Sequence, residues 1–307
     1  MSATTPAARA PRTRPRGWRR RDRLWGYAFV APQALGMLLF TLLPFAFAFI
    51  LAFTEWNGFG TPRFVGLDNF VTEFSDPLLW RAVLNTLVIA VITVPIGLFL
   101  AILVAVLLNR IAGRTFYLVL FFAPVVTSTV AVALLWQQLL RKDGMLSQFI
   151  ARVLPFGAPD WLGNPKLALL AVCLVTIWSA LGLNVVIFMA GLQNVSPSVL
   201  EAAQIDGAGP VRRFFSVIMP LLSPIIFYQS VVASISSLQT FDLVFVLVKN
   251  AGPDNATRTI VYHIYDTGFA KSQFGVSSAA SIILLILTLL ITAVQFGAQK
   301  RFVHYEG

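Results

Sequence analysis

Few side chains in this 307-residue chain could carry chemistry, and their spacing excludes most kinds of it. Only His263 and His304 could supply imidazole, and neither sits in an HExxH or comparable ligand spacing. Cys173 is the single cysteine and lies in an apolar run, so it can form neither an internal disulfide nor a cysteine-based metal site. It reads as a small core hydrophobe. No Gly-x-x-x-x-Gly-Lys-Ser/Thr loop occurs, which leaves no recognisable cradle for nucleotide phosphates. The expectation is a chain with no catalytic residues, no metal and no cofactor. What remains is a run of hydroxyls and amides around Ser230–Thr240, two carboxylates at Glu201 and Asp206, and a lone acid, Asp242.

The elements that must position these residues are hydrophobic. Of all residues 57% are apolar and 12% charged, against about 25% charged in a soluble domain. Six stretches, near 27–53, 82–108, 116–140, 167–192, 224–248 and 276–297, are long enough to cross a bilayer core, which needs roughly 20 helical residues. The first is too long for the apolar region of a signal peptide and is expected to be an uncleaved first helix. The fold class is therefore all-α, a polytopic membrane protein with six transmembrane helices embedded in the lipid bilayer. The net charge of +10 does not argue for nucleic acid, because eight arginines precede the first apolar run and the rest is close to neutral.

Lysine and arginine resist translocation, so their distribution sets the orientation. With the amino terminus inside, the inner segments hold 14 of the 23 cations, including Arg110, Arg114, Arg212, Arg213, Lys300 and Arg301. Eight of the 13 acids lie outside. Both termini are expected in the cytoplasm. The expected organisation is a basic tail over residues 1–26, a first helix with its external loop over 27–81, a transmembrane core domain over 82–299 that includes an inner loop at 193–220, and a short tail at 300–307.

That inner loop, between the fourth and fifth spans, runs from Asn194 to Pro220. Ser196 can cap a helix with Pro197 at its first position, or Ser198 can form a capping box with Glu201. Gly207 tolerates the positive φ of a helix end, Pro210 can open a second short helix and Pro220 can close it. Ala202 and Ala203 keep one flank small enough for close approach by a partner, to which Glu201 and Asp206 offer charge.

Glu201-Ala202-Ala203, three residues, Gly207, nine residues, then Val217-Ile218-Met219-Pro220 resembles the "EAA" loop of ABC-importer permeases. Phe64-Val65-Gly66-Leu67-Asp68-Asn69-Phe70, Asn85-Thr86, Leu107-Leu108-Asn109-Arg110 and the run from Phe241 to Pro253 are similar to the carbohydrate-uptake branch, the maltose and glycerol-phosphate type. Val217 and Met219 stand where the family has Ile and Leu, and Ala251 where it more often has Gly. The resemblance implies that Glu201, Ala202, Ala203, Asp206 and Gly207 couple the membrane helices to an ATPase. It also implies two ATP-binding subunits, a second related permease and an extracytoplasmic solute-binding protein as partners.

In the fifth span Gln229, Ser230, Ser234, Ser236, Ser237 and Thr240 fall within about 160° of one another at helical spacing. Such a face either packs against protein or lines a wet passage, since hydrocarbon does not satisfy hydroxyls. Ser230, Ser234, Ser237 and Thr240, with Thr176 and Ser179 of the fourth span, are the candidate lining for a carbohydrate-type solute. Asp242 lies near the outer end of its span, where snorkelling tolerates it. The alternative to an ABC permease is an ion-coupled secondary transporter, which needs acids or broken helices at mid-membrane. A membrane-bound enzyme finds no paired-carboxylate constellation among Asp22, Glu201, Asp206 and Glu306.

Overall fold

The computed structural model describes residues 16–109, 111–153, 155 and 157–302. Arg9, Arg12, Arg14, Arg110, His304 and Glu306 lie outside these residues. The chain divides into two compact units, Met1–Ile50 and Leu51–Gly307. The first is a helical run in which α1 (Arg16–Met37) widens into a π turn at Leu38–Leu42 and resumes as α2 (Leu43–Leu51). Pro44 accounts for the widening. A proline ring collides with the carbonyl four residues back, and the wider bond from the Leu43 N–H to the Leu38 carbonyl relieves that contact. Phe29 and Phe40 are 81% and 83% exposed, as suits a segment solvated by hydrocarbon.

The second unit opens with an antiparallel pair, β1 (Thr54–Glu55) and β2 (Arg63–Phe64), in the register Thr54 to Phe64. Helix α3 (Asp68–Ser75) precedes the long α4 (Pro77–Leu108). The start of α4 is specified locally: Asp76 accepts the Leu78 N–H at 2.8 Å and Pro77 takes the first helical position, where its missing N–H costs nothing. Next come α5 (Arg114–Val126), α6 (Thr129–Leu140) and α7 (Met145–Val153). The second long helix, α8 (Pro165–Gln193), repeats the entry chemistry of α4 with Asn164 accepting from Lys166 and Leu167. Then follow α9 (Pro197–Ile205), α10 (Pro210–Arg213), α11 (Met219–Leu221), α12 (Ser223–Leu238), α13 (Asp242–Leu247), α14 (Ile260–Tyr265) and α15 (Phe274–Phe302).

Four of the six expected spans are each one long apolar helical run, Leu24–Leu51 with its π turn, Pro77–Leu108, Pro165–Gln193 and Phe274–Lys300. The other two differ from straight spans. Residues 114–153 bend by 100° where Thr127 and Ser128 are extended, with ψ of 140° and 134°. The stretch expected at 224–248 is two helices, because the chain leaves helical geometry at Phe241 (φ −134°, ψ −64°) between α12 and α13. Pro210–Leu221 and Ser223–Leu238 form the second bent pair, at 72°.

Helices α4 and α8 run through two apolar clusters. One gathers Ile89 of α4, Val132 and Leu140 of α6, Val172 and Val175 of α8 and Leu243 and Leu247 of α13. The other gathers Leu98 to Leu108 of α4, Val185, Phe188 and Leu192 of α8, and Phe214, Ile218 and Leu222. Between the clusters the same two helices carry Thr93, Gly97, Thr176 and Asn184, so a polar layer separates two dry ones. Helix α5 lies so close on α8 that a Cβ at Gly182 would overlap the Phe121 carbonyl oxygen. Gly182→Ala should therefore push α5 outward at a cost of about 1–3 kcal/mol. A lowered thermal midpoint of the purified protein in detergent, against no change for Gly297→Ala where nothing lies within 4 Å, is the outcome that checks it.

Candidate functional site

The loop between α8 and α12 folds as two helices about a left-handed glycine. Ser196 is the residue before α9 and Pro197 its first position, as the spacing predicts. Neither expected serine cap forms, because the Ser196 and Ser198 hydroxyls bond each other at 2.7 Å. Gly207 has φ +77°, and the N–H groups of Gly207 and Ala208 return to the carbonyls of Gln204 and Ala203 at 3.1 and 2.9 Å. This is a Schellman closure, which leaves α9 with a defined end. Arg213 donates to Gln204 Oε1 at 3.2 Å and ties the second helix to the first.

The two halves of the loop are anchored unequally. No residue of α9 is buried: Glu201, Ala202 and Asp206 are exposed, Ala203 is half-buried and Ile205 is 86% exposed. The second half inserts Phe214 and Ile218 into the cluster with Leu98 and Phe188, with Phe99 edge-on to Phe214 at 6.2 Å. Pro220 does not close this helix, contrary to expectation. A π turn at Phe214–Ile218 carries the chain into Met219–Leu221, its Met219 N–H reaching the Phe214 carbonyl, and the bend comes at Leu222. The arrangement matches the turn ahead of Pro44, where widening accommodates a proline inside a helix.

The polar face of α12 is divided among three surroundings. Ser237 is buried and shares a 2.9 Å hydrogen bond with Thr93 of α4. Gln229 is buried and donates to Asn184 Oδ1 of α8 at 2.6 Å. These four residues, with Thr176, Gly97 and Ser236, line a cavity of about 180 Å³ in the polar layer. A second cavity of about 380 Å³ shares Thr176 and adds Ser179, Thr240, Gln239, Thr127, Thr129 and Asp242. Ser234 and Ser230 belong elsewhere. Ser234 accepts from Gln295 of α15 at 2.8 Å, and Ser230 lines an apolar hollow of about 450 Å³ with Phe215, Met219 and Gln295. The structure thus brings Thr176, Ser179, Ser237 and Thr240 together and leaves Ser230 and Ser234 on the α15 side. Thr93 and Asn184 escaped sequence analysis, although a lone amide in the apolar run of α8 is the kind of residue that hydrocarbon does not tolerate unpartnered.

Residues 94–304 match the family described as "Binding-protein-dependent transport system inner membrane component". The chain belongs to that family. It is 36% identical over 292 residues to the probable ABC transporter permease protein YesP of Bacillus subtilis (strain 168), covering 94% of each chain. It is 32% identical to the diacetylchitobiose uptake system permease protein NgcF of Streptomyces coelicolor, over 96% of this chain and 91% of that one. With the sn-glycerol-3-phosphate transport system permease protein UgpA of Escherichia coli (strain UTI89 / UPEC) it shares 33% identity, over 93% and 97%. A crystal structure of a bacterial ABC transporter that imports the acidic polysaccharide alginate contains a chain of the same fold, with TM-score 0.82 at 23% identity over 94% of this chain and all of the other. The protein is thus a multi-pass inner-membrane permease subunit of an ABC importer.

In this permease the break after α12 is held by a buried polar clasp. The freed carbonyl of Thr240 accepts the Thr259 hydroxyl at 2.9 Å. Asn85 of α4 donates to the carbonyls of Asn255 and Arg258 at 3.0 Å, and Thr86 Oγ1 accepts the Ile260 N–H at 2.9 Å. His263, expected to hold no metal, is fully buried and joined to Glu73 of α3 at 2.9 Å. Its tautomer follows from its other neighbour. Arg258 Nε faces His263 Nδ1 at 3.3 Å and can only donate, so Nδ1 carries the lone pair and Nε2 donates its proton to Glu73. Arg258 also donates to Asp266 at 2.6 Å. Burial works to raise the Asp266 carboxyl, but the bond and charge of Arg258, aided by Lys271, hold it below the usual carboxylate range. Replacing His263 with Leu would strand a buried carboxylate and should cost about 3 kcal/mol or more. Thermal unfolding of His263→Leu beside the double variant Glu73→Leu/His263→Leu checks this: the double variant should recover part of the loss.

Proposed function

We propose that this permease moves a sugar or sugar-like solute into the cell by alternating access, driven by ATP hydrolysis on partner subunits that dock on the α9 loop. The observation that carries the reading is the loop's construction. Its second half is fastened into the core by Phe214 and Ile218, while α9 touches that core through Leu200 and leaves Glu201, Ala202, Asp206 and Gly207 exposed and Ala203 half-buried. An exposed apolar Ile205 beside acidic residues on a short, well-terminated helix suits a protein partner better than solvent. Glu201 and Asp206 would supply polar contacts, Ala202 and Ala203 close approach, and Gly207 the turn.

The partners in this reading are two ATP-binding subunits, a second related permease and an extracytoplasmic solute-binding protein. Such a binding protein accompanies the alginate importer in its complex with an alginate pentasaccharide. Both termini and the α9 loop face the cytoplasm, supported by the excess of lysine and arginine in those segments. The chain itself does no catalysis. Solute passes the polar layer beside Thr176, Ser179, Ser237 and Thr240, with Ser234 and Ser230 toward the inner end. Relatives named for diacetylchitobiose and sn-glycerol-3-phosphate support a small, hydroxyl-rich cargo.

Gly207→Asp tests the docking role. A Cβ at Gly207 meets nothing within 4 Å, so the membrane fold should survive, while the left-handed φ of +77° costs a substituted residue about 1 kcal/mol and the charge obstructs the partner. The expected result is a permease that inserts normally but loses co-purifying ATPase, or retains it with hydrolysis uncoupled from uptake. Stoichiometric ATPase with full solute-driven transport would refute the assignment. The orientation has its own measurement: a cysteine replacing Gln204 should resist an impermeant thiol reagent applied to intact cells, whereas one replacing Asn57 should react.

A further inference from the structure

The clasp beside the break after α12 contains a chain of titratable groups that the transport reading does not use. Glu73, His263 and Arg258 are all buried. Among the described residues, the charged groups that meet the His263 ring are Glu73 from α3, at Nε2, and Arg258 from the loop ahead of α14, at Nδ1. Arg258 in turn lies over the Tyr262 ring at 5.6 Å and pairs with Asp266 of the π turn Asp266–Ala270, which Lys271 also reaches at 3.4 Å. Asp266 is half-buried and Lys271 exposed, so water meets the chain of groups at that end.

The two ring nitrogens respond differently to a proton. A proton added to Nδ1 gives an imidazolium, whose second N–H then opposes the Arg258 Nε–H across 3.3 Å. The bond from Nε2 to Glu73 becomes charge-assisted on both sides and strengthens. One proton thus tightens α14 onto α3 and displaces Arg258. The displaced state binds more protons than the clasped one, so acid favours it, and imidazole is the side chain whose ordinary titration falls between about pH 5 and 8. Arg258 has other duties. Its Nη1 donates to Asn255 Oδ1 at 3.3 Å, and Asn85 grips the carbonyls of both residues. Just ahead, Asn250, Ala251, Asp254 and Asn255 have φ of 54°, 58°, 52° and 54°. Left-handed backbone at a residue such as Ala251 persists only where its surroundings over-determine it. Just after Arg258, Thr259 carries the hydroxyl that satisfies the Thr240 carbonyl at the break.

We propose that Arg258 is a positioning residue for transport, holding the strained loop and the Thr240 break in place, and that His263 with Glu73 releases it when the outside turns acid. This rests on the transport reading and on the orientation that puts the segment between α13 and α15 outside. The device needs no movement of α3 or α14. Only the arginine between Asn255 and Asp266 changes partners, and the backbone on either side of it follows.

The test uses the whole importer, permease with its partner subunits and binding protein, in proteoliposomes with ATP in the lumen, so that only complexes with their ATPase inside hydrolyse it. The lumen stays neutral while the outside is taken from about pH 7.5 to about pH 5.5, across the imidazole range. His263→Gln is the reference, because its amide can donate to Glu73 and accept from Arg258 but takes up no proton. Hydrolysis by the unmodified importer should fall about threefold relative to His263→Gln at the same acid pH. In a Cys173→Ala background, Ala256→Cys reports the loop, since Ala256 is buried beside Asn255. Its labelling by a methanethiosulfonate, relative to free cysteine at each pH, should quicken about tenfold in acid, and adding His263→Gln should abolish the change. Labelling that does not quicken in the unaltered clasp overturns the inference, even where a clasp variant fails to assemble. Faster labelling with an unchanged ratio of hydrolysis rates overturns the positioning role, and a defect of His263→Gln that is equal at every pH marks a merely structural histidine and overturns the release. A response to acid in the lumen and not outside overturns the orientation, and the inference with it.

Discussion

Everything in the larger unit depends on how polar groups are satisfied where water is scarce. Hydrocarbon around the helices gives no hydrophobic reward for packing one against another, so association rests on close contact and on hydrogen bonds between helices. Helices α4 and α8 use both. Alanine and glycine at the contact bring the backbones near, and on another side of α8 Gly182 lets the Phe121 carbonyl of α5 approach within what would be a Cβ radius. The Thr93–Ser237 and Gln229–Asn184 bonds then fix α12 against the pair. Because these bonds sit between two apolar clusters, the fold acquires dry ends and a hydrogen-bonding middle, and the cavities occur where that middle is incompletely filled.

The clasp around Arg258 extends the same constraint to an interrupted helix. Where α12 stops, its last carbonyls lose their intrahelical donors, and a break at this depth is tolerated only if protein groups replace them. Thr259 replaces one at Thr240, and the segment carrying it is itself held by Asn85, Thr86 and Glu73 through His263. The irregular backbone beside the 380 Å³ cavity is thus supported on several sides. Asp242 follows immediately, at a position set by the break rather than by a continuous helical face.

Much of this was legible in the sequence because apolar length and helix punctuation act locally. Asp76-Pro77 and Asn164-Pro165 start the two long helices, and Gly207 ends α9 in the conformation its lack of a Cβ permits. The α9 loop was recognisable through its spacing. The breaks were not, because Thr127-Ser128 and Thr240-Phe241 contain neither glycine nor a nearby helix-stopping signal strong enough to outweigh the surrounding apolar run. The polar face of α12 was visible, but its division between α4 and α15 depends on partners distant in sequence, Thr93 and Gln295. The bond between Glu73 and His263 joins residues 190 positions apart, beyond the reach of any local pattern.

The π turn at Phe214–Ile218 carries a consequence of phase. A helix of this width holds about one more residue per turn than an α-helix, so whatever follows it is rotated by roughly 100° relative to an uninterrupted helix. The azimuth at which Phe214 grips the core and the azimuth at which Met219 and Leu221 lead into the 72° bend are therefore offset. Deleting one residue from this turn would restore α-helical pitch, but it would return the Pro220 ring to its collision with the carbonyl four residues back and swing the bend out of alignment. The segment is thus keyed to its length, and the proline acts as a gauge block that keeps the loop and α12 in a fixed angular relation.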